Sequence, residues 1–264
     1  ETGTCAVVLG NFGLSVRLDG NHQGYNTYSD LKSYFASMPI SLGLVTYDPD
    51  FEGLEDIVFI DQDTRTSFGR FCSFYADKSQ RRWNQPDEAA ITNAQVAGVD
   101  PYFFEESIEA ARLCHEHGVR YATIDCRFDS DVHALSDVNV LSGEFLRSNY
   151  KDWELESLFA EYMKCTSGLV VFTFGAEDLW YGRGGQPVRQ FSPFQVDVQS
   201  SLGAGDSFKA GVIYAMSKEM DDTMLVRFAS ATAAAACMSY PIAENPPTLE
   251  AISDLARESF HEAT

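Results

Sequence analysis

Hydrophobic positions in this chain fall into short unbroken runs separated by longer amphipathic stretches. The runs at 4–9, 40–45, 57–60, 119–124, 138–141 and 169–173 are each too short for a buried helix. Their lack of polar alternation predicts strands covered on both faces, as in a parallel sheet. The first ends at Gly10-Asn11, and the strands over 119–124 and 169–173 lead into Asp125 and Gly175. Between the runs, the 3.6-residue period predicts helices. One covers 31–37, capped by Ser29 or Asp30 and stopped by Pro39. Another covers 101–117, with Phe103, Phe104, Ile108, Ala111 and Leu113, and closes at Gly118. A third covers 153–165, with Leu155, Leu158, Phe159 and Tyr162 on one face. Two more are expected at 206–218 and 222–238.

Two stretches read as antiparallel hairpins. Residues 179–181 and 188–191 flank Gly182-Arg183-Gly184-Gly185. Phe71, Ser73 and Tyr75 alternate with Cys72, Phe74 and Ala76, and the chain returns at Arg81-Arg82-Trp83 after a polar turn. The second patch has three open readings: a cover over a site, a sheet extension, or a dimer surface. Strand–helix alternation with short connections implies one α/β domain over 1–264, a doubly wound, mostly parallel sheet flanked by helices.

Composition narrows the partners. Asp and Glu outnumber Lys and Arg by 39 to 19, a net charge of −20. That argues against nucleic acid and against anionic membranes, where basic side chains supply the affinity. It does not exclude a small phosphorylated ligand held by backbone N–H groups. No apolar stretch reaches the roughly 18 residues of a membrane span. The opening Glu1-Thr2-Gly3-Thr4-Cys5 lacks the features of a signal peptide. The scattered cysteines read as free thiols, so a cytoplasmic setting is expected, and the histidines form no metal pattern.

The most specific chemistry lies at Leu202-Gly203-Ala204-Gly205-Asp206-Ser207-Phe208. Small residues running into an apolar helix let a ligand approach the backbone. The N–H groups of 203–206 then form an anion hole at the helix start. Asp206 stands at the same place. Its carboxylate can take a proton from an attacking hydroxyl while the amides hold the charge on a transferring phosphoryl group. The segment is not a Walker A loop, which needs Gly-Lys-Ser/Thr. The bare tetrapeptide also fits a plain helix cap.

The surroundings resemble the ribokinase-like (PfkB) family of carbohydrate kinases. Val196 to Phe208, continued by Lys209-Ala210-Gly211, is similar to that family's C-terminal signature. Val170-Val171-Phe172-Thr173-Phe174-Gly175 resembles its strand ending in Thr-x-Gly beside the nucleotide, and the alanine-rich 232–236 its last packed helix. The N-terminal half fits more loosely, through Gly10-Asn11, Gly24-Tyr25-Asn26, and a β lid contributed by about 11–20 and 57–84 that takes in Thr64. The resemblance implies an ATP-dependent transfer of the γ-phosphoryl group to a hydroxyl of a sugar-like molecule. It implies Asp206 as base with Gly203, Ala204 and Gly205 as the catalytic amides. Thr173, Gly175, Ser201, Gly203 and Gly205 would hold the nucleotide. Asn11, Ser15, Gly24, Asn26 and Asp206 would hold the acceptor. Mg2+, a possible monovalent cation and a homodimer through the lid follow from the same resemblance.

The chain departs from the family at several of these places. Ser15 stands where a sugar-binding aspartate is expected, Tyr25 where a second glycine is, and Ser200-Ser201 where Asp-Thr is. Ser142 and Phe145 stand where Asn-x-x-Glu is expected. The phosphoryl-transfer corner is retained and the sugar end is altered. The alternatives are a non-catalytic binding or regulatory protein of the same fold, and a nucleoside kinase. Asp125 with Arg127 could line the site. Arg65, Arg70 and Arg82 are either contacts to an anionic substituent or solvated charges.

Overall fold

The computed structural model describes residues 2–60 and 65–261. In chain order its elements are α1 (Thr2–Asn11), β1 (Val16–Arg17), α2 (Tyr28–Phe35), β2 (Ile40–Ser41), β3 (Asp56–Ile60), β4 (Arg65–Gly69), α3 (Phe71–Ala76), α4 (Glu88–Thr92) and β5 (Val96–Gly98). They continue as α5 (Glu105–Glu116), β6 (Arg120–Ile124), α6 (Asp131–Ala134), β7 (Val138–Ser142), α7 (Gly143–Asn149), α8 (Leu155–Lys164), β8 (Leu169–Phe174) and β9 (Glu177–Gly182). Last come β10 (Arg189–Phe191), α9 (Ala204–Ser217), α10 (Asp222–Cys237) and α11 (Leu249–His261).

A six-stranded sheet in the order β10-β9-β8-β7-β6-β5 forms the centre. Strands β5 to β8 are parallel, and β9 and β10 add antiparallel at one edge. Side chains on β8 show how the layers form. Leu169 and Val171 point into a core shared with α1, α9 and α10. Val170 and Phe172 point the other way, into a core shared with α7 and α8. A strand buried on both faces has no polar side to present, which is why these runs carry no alternation. On the α6 side, buried His133 is neutral in a fixed tautomer. Its Nε2–H donates to the Tyr162 carbonyl at 3.0 Å, so Nδ1 accepts from Asn139 Nδ2 at 2.8 Å.

The helices expected around 101–117, 153–165, 206–218 and 222–238 are present, as is the 179–191 hairpin. The helix expected over 31–37 is shifted to Tyr28–Phe35, with Thr27 and not Ser29 or Asp30 at its N-cap, and the strand expected over 40–45 shrinks to Ile40–Ser41. Two further expectations fail outright. The run at 4–9 is not a strand: it is the middle of α1, and residues 5–10 are all buried. A helix enclosed on every side reads like a buried strand, since neither shows amphipathic spacing. Gly10 lies inside this helix and faces Ile40, whose Cδ1 would be 3.3 Å from a Cβ there. Gly10-Asn11 is therefore a packing feature and not a loop. The second failure is the 71–83 hairpin. Residues 71–76 are helical and 78–80 form a 3₁₀ turn. There Phe74 packs against Phe51, Tyr75 and Trp83, and burial of aromatic rings overrides local alternation. The hairpin instead comes one segment earlier, as β3 against β4, with Ile57 opposite Phe68 and Phe59 opposite Thr66. Thr64 and the side chain of Arg65 lie outside the described residues.

Candidate active site

The parallel strands deliver their carboxyl ends to one rim of the sheet, the usual place for ligands in an open α/β fold. Asp100 follows β5, Asp125 follows β6, Ser142 ends β7, and Thr173 is near the end of β8. Helix α9 starts beside this rim. Its cap residue Gly203 has φ +81°, in the left-handed region, and offers no side-chain cap. A Cβ on Gly203 would lie 2.8 Å from Ile242 Cδ1, so glycine is required on two counts. Gly205 is exposed, and a Cβ there would meet nothing within 4 Å. The mouth of α9 thus opens outward at Gly205. Ala204 N–H bonds the Ser201 carbonyl at 3.2 Å and Ser207 N–H bonds that of Gly203 at 2.9 Å. Asp206, half-buried, sits in the first turn, where a carboxylate also suits the helix dipole.

Asp125 is anchored by the end of the neighbouring strand. It accepts from Ser142 N–H at 2.7 Å and from Ser142 Oγ–H at 3.0 Å. Its φ is +49°, rare for a residue with a side chain and typical of strained functional positions. Burial pushes its carboxyl above the usual range, against the Ser142 bonds, with Glu144 and Asp206 adding to the rise. Asp125 therefore shares one electrostatic environment with Asp206. Ser142 Oγ also accepts from Phe145 N–H at 3.1 Å and caps α7. At the position of the family's Asn-x-x-Glu, serine thus ties a helix to Asp125.

The expected nucleotide residues lie along the same rim. Thr173 pairs with Ser142 across the strands, and its Oγ–H donates to the Leu141 carbonyl at 3.3 Å. Gly175, at φ +70°, makes the turn into β9 and is exposed. Ser201 is exposed just before α9.

The acceptor residues are less well gathered. Asn11 ends α1, and its Nδ2 donates to the Pro247 carbonyl at 2.9 Å. At 1.5 Å per residue it stands roughly 13 Å from Thr2 along the helix, and it is Thr2, not Asn11, that meets the rim. Ser15 is exposed and borders a cavity of about 560 Å3 that runs beside β5, with Leu9, Val16, Val96, Asp100 and Trp83 also in its wall. None of 203–206, Thr173 or Gly175 lines that cavity. Gly24 is required by close packing against the backbone of 51–53. Asn26 is exposed beside it, its N–H bonded to the Glu52 carbonyl. Arg70 pairs with Glu52 at 2.7 Å, Arg82 with Asp48 at 3.4 Å, and exposed Arg127 with Asp129 at 3.0 Å.

Sequence reasoning missed Thr2, Thr4, Asp100 and Lys209. The N-terminus of α1 abuts that of α9: a Cβ on Gly203 would lie 3.4 Å from Thr4 Cγ2. Thr2 Oγ–H donates to Asp100, which is ion-paired with Lys209 in the interior. The signal was present in Lys209 itself, a lysine placed between Phe208 and Val212 on a helix whose other residues are mostly buried.

A family model described as the pfkB family carbohydrate kinase matches residues 81–249. The chain belongs to the PfkB family. The matched span of this PfkB chain runs from Arg81, ahead of α4, to the start of α11, and holds the carboxyl ends of β5 to β8 and the start of α9. Among curated relatives, 5-dehydro-2-deoxygluconokinase of Clostridium perfringens is 29% identical over 113 residues, 42% of this chain and 33% of that enzyme. The aligned part thus spans about a third of the length of the curated relatives it matches. Solved structures share the fold at low identity. Arabidopsis thaliana ribokinase complexed with ribose and ATP is 17% identical with a TM-score of 0.78, over 96% of this chain and 85% of that one. A Methanocaldococcus jannaschii nucleoside kinase is 16% identical with a TM-score of 0.75, over 97% and 85%. The ribokinase-like fold expected from the sequence is present, with a mixed central sheet.

Proposed function

We propose that this chain is an ATP-dependent kinase that moves the γ-phosphoryl group to a hydroxyl of a sugar or sugar-like molecule. The observation that carries the reading is the placement of Asp206 in the first turn of α9. It sits beside the left-handed Gly203 mouth, at the carboxyl rim of the parallel sheet. In this reading the acceptor hydroxyl gives its proton to Asp206 as its oxygen bonds the transferring phosphorus, and the bond from that phosphorus to the ADP oxygen breaks. The amides of Gly203, Gly205 and Asp206 hold the charge on the transferring group, while that of Ala204 is bonded to the Ser201 carbonyl. Thr173, Gly175 and Ser201 border the nucleotide. Gly24 and Asn26, with Ser15, belong to the acceptor side.

The rim suits such a group: Gly205 leaves an open approach to backbone N–H groups, which no side chain fills. Magnesium on the phosphates neutralises charge, and such an ion needs only one or two protein carboxylates. Asp125 and Glu144 are the acids available, and among the described residues no cluster of three or more ligands is present. The five cysteines whose side chains are among the described residues are free thiols. These suit a reducing compartment such as the cytoplasm.

The test is an ATP-turnover screen over sugars, sugar acids, aminosugars and nucleosides with Mg2+. Running it in potassium and in choline salts tests the monovalent cation. Turnover that depends on an acceptor supports the kinase. Turnover confined to nucleosides would move the acceptor class. No turnover, with melting shifts on ATP or sugar binding, would favour the regulatory reading.

Gly205→Val is a clean probe of the anion mouth. An added Cβ meets nothing within 4 Å and Gly205 is exposed, so thermal stability is expected to stay within a few degrees. ATP affinity is expected to fall by about tenfold, the worth of one hydrogen bond to a charged group. Equal ATP affinity in calorimetry would remove 203–206 as the phosphate cradle.

The lid supports a homodimer. Ile57, Phe59 and Phe68 share one face of the β3–β4 hairpin and are 65%, 64% and 60% exposed. Paired apolar faces of this kind are commonly covered by a second copy. Sedimentation should show a dimer that Phe59→Glu converts to monomer; a monomeric wild type would refute it.

A further inference from the structure

Lys209 and Asp100 are the ionisable pair most deeply enclosed near the rim, with side chains 4% and 5% exposed, and the proposed reaction uses neither. The pair joins three elements. Asp100 follows β5, Lys209 is on α9, and Thr2 at the start of α1 donates its hydroxyl to the other Asp100 oxygen. Burying two charges is costly, and a well-packed apolar pair often does as well for stability. The location of the pair is therefore informative. Lys209 is three residues beyond Asp206, so the two side chains rise from one face of the helix a turn apart. The charged and titratable groups facing Lys209 are Asp100 from the end of β5, Cys5 from α1 and Asp206 from its own helix. Asp125, from the end of β6, faces Asp206 from the opposite strand.

We propose that Lys209 is a positioning residue for Asp206: held by Asp100 and rising from the same face of α9 one turn further on, it fixes the charge and orientation of the carboxylate in the first turn. The inference rests on the reading of Asp206 as the base. The enclosed ammonium is kept charged. Burial opposes its charge, but the Asp100 carboxylate, joined by Asp206, outweighs burial and raises Lys209 above its ordinary value. Burial likewise works to raise Asp100, and Lys209 with Thr2 holds its carboxyl below the usual range. At Cys5 burial dominates and pushes the thiol up to about 12, so it stays neutral and does not compete for the ammonium. A cation one helical turn away favours the ionised form of a carboxylate, the form a base must have before it takes a proton.

The experiment reads the Asp206 carboxyl directly, by 13C NMR titration of protein labelled at aspartate and assigned through Asp206→Asn. Lys209→Gln/Asp100→Asn removes both charges and keeps a hydrogen-bonded pair. Its Asp206 midpoint is expected about one pH unit above wild type, while Lys209→Arg stays near wild type. The acid limb of kcat/KM should move with the midpoint, at unchanged KM for ATP. An unshifted midpoint in a folded double variant overturns the proposal, because a merely structural pair would lower stability and leave the titration alone. If that variant does not fold, Lys209→Met/Asp100→Asn makes the same charge change with an apolar filler and is read the same way. The titration needs no turnover. A moved midpoint with no kinase activity would sink the proposed function only. A fixed midpoint in an active enzyme would sink only this inference.

Discussion

Asp206→Asn is expected to slow phosphoryl transfer by about 10²- to 10⁴-fold, the usual contribution of a positioned general base. In barrier height that is roughly 3–5 kcal/mol. The substitution keeps size and hydrogen-bonding reach, and Asn serves well near a helix start. Losing the carboxylate at the first turn costs a few tenths of a kcal/mol to about 1 through the helix dipole. Rate and stability should therefore separate: kcat collapses while the melting temperature moves by only a few degrees. ATP affinity should hold, because the amides of 203–206 and the Thr173–Gly175 turn are untouched. Equal rates for wild type and Asp206→Asn, on an acceptor that supports turnover, would show that the base lies elsewhere.

Phe172→Ala is expected to have the opposite profile. Phe172 is fully buried on β8, edge-on to Phe159 at 4.7 Å and to Tyr162 at 5.4 Å between ring centroids. Removing the ring deletes the bridge between the sheet and α8 and leaves a cavity that this well-packed layer closes only in part. The expected loss is about 3–5 kcal/mol, a large share of a typical stability of about 5–15 kcal/mol. For a chain of this size that is roughly a 10 °C fall in melting temperature. A thermal melt displaced by less than about 2 °C would mean the aromatic layer repacks freely. Phe172 immediately precedes Thr173, so activity measured below the melt tests whether the rim depends on this layer. We expect kcat to survive at low temperature, since the backbone of β8 is held by pairing with both neighbours.

The sequence carried the second half of this protein well. From β6 onward, the short apolar strands and the helices α8, α9 and α10 were legible from their patterns, whereas the short α6 and α7 and the final α11 were not read. The Gly203–Asp206 corner was legible too. Its chemistry depends on adjacent backbone groups and one side chain in a single turn, and local sequence determines such geometry. The first 83 residues were harder. An enclosed α1 looks like a strand when every side chain of 5–10 is buried. Residues 71–76 alternate like a strand, yet Phe51, Trp83 and Phe103 surround them with rings and make a helix the better burial.

What the sequence by itself determined is the main strand–helix alternation of the second half, the net negative charge, and the glycine-rich turn with its carboxylate. Only the tertiary structure decided what surrounds that carboxylate. Asn11 is carried to the far end of α1, while Thr2 is brought to Asp100, 98 residues away. Lys209 reaches Asp100 across 109 residues, and Ser142 reaches Asp125 across 17. The physical reason is that pairing of buried polar groups is set by desolvation. An enclosed charge or hydroxyl gains most by finding a partner wherever packing leaves one, and no spacing along the chain encodes which partner that is.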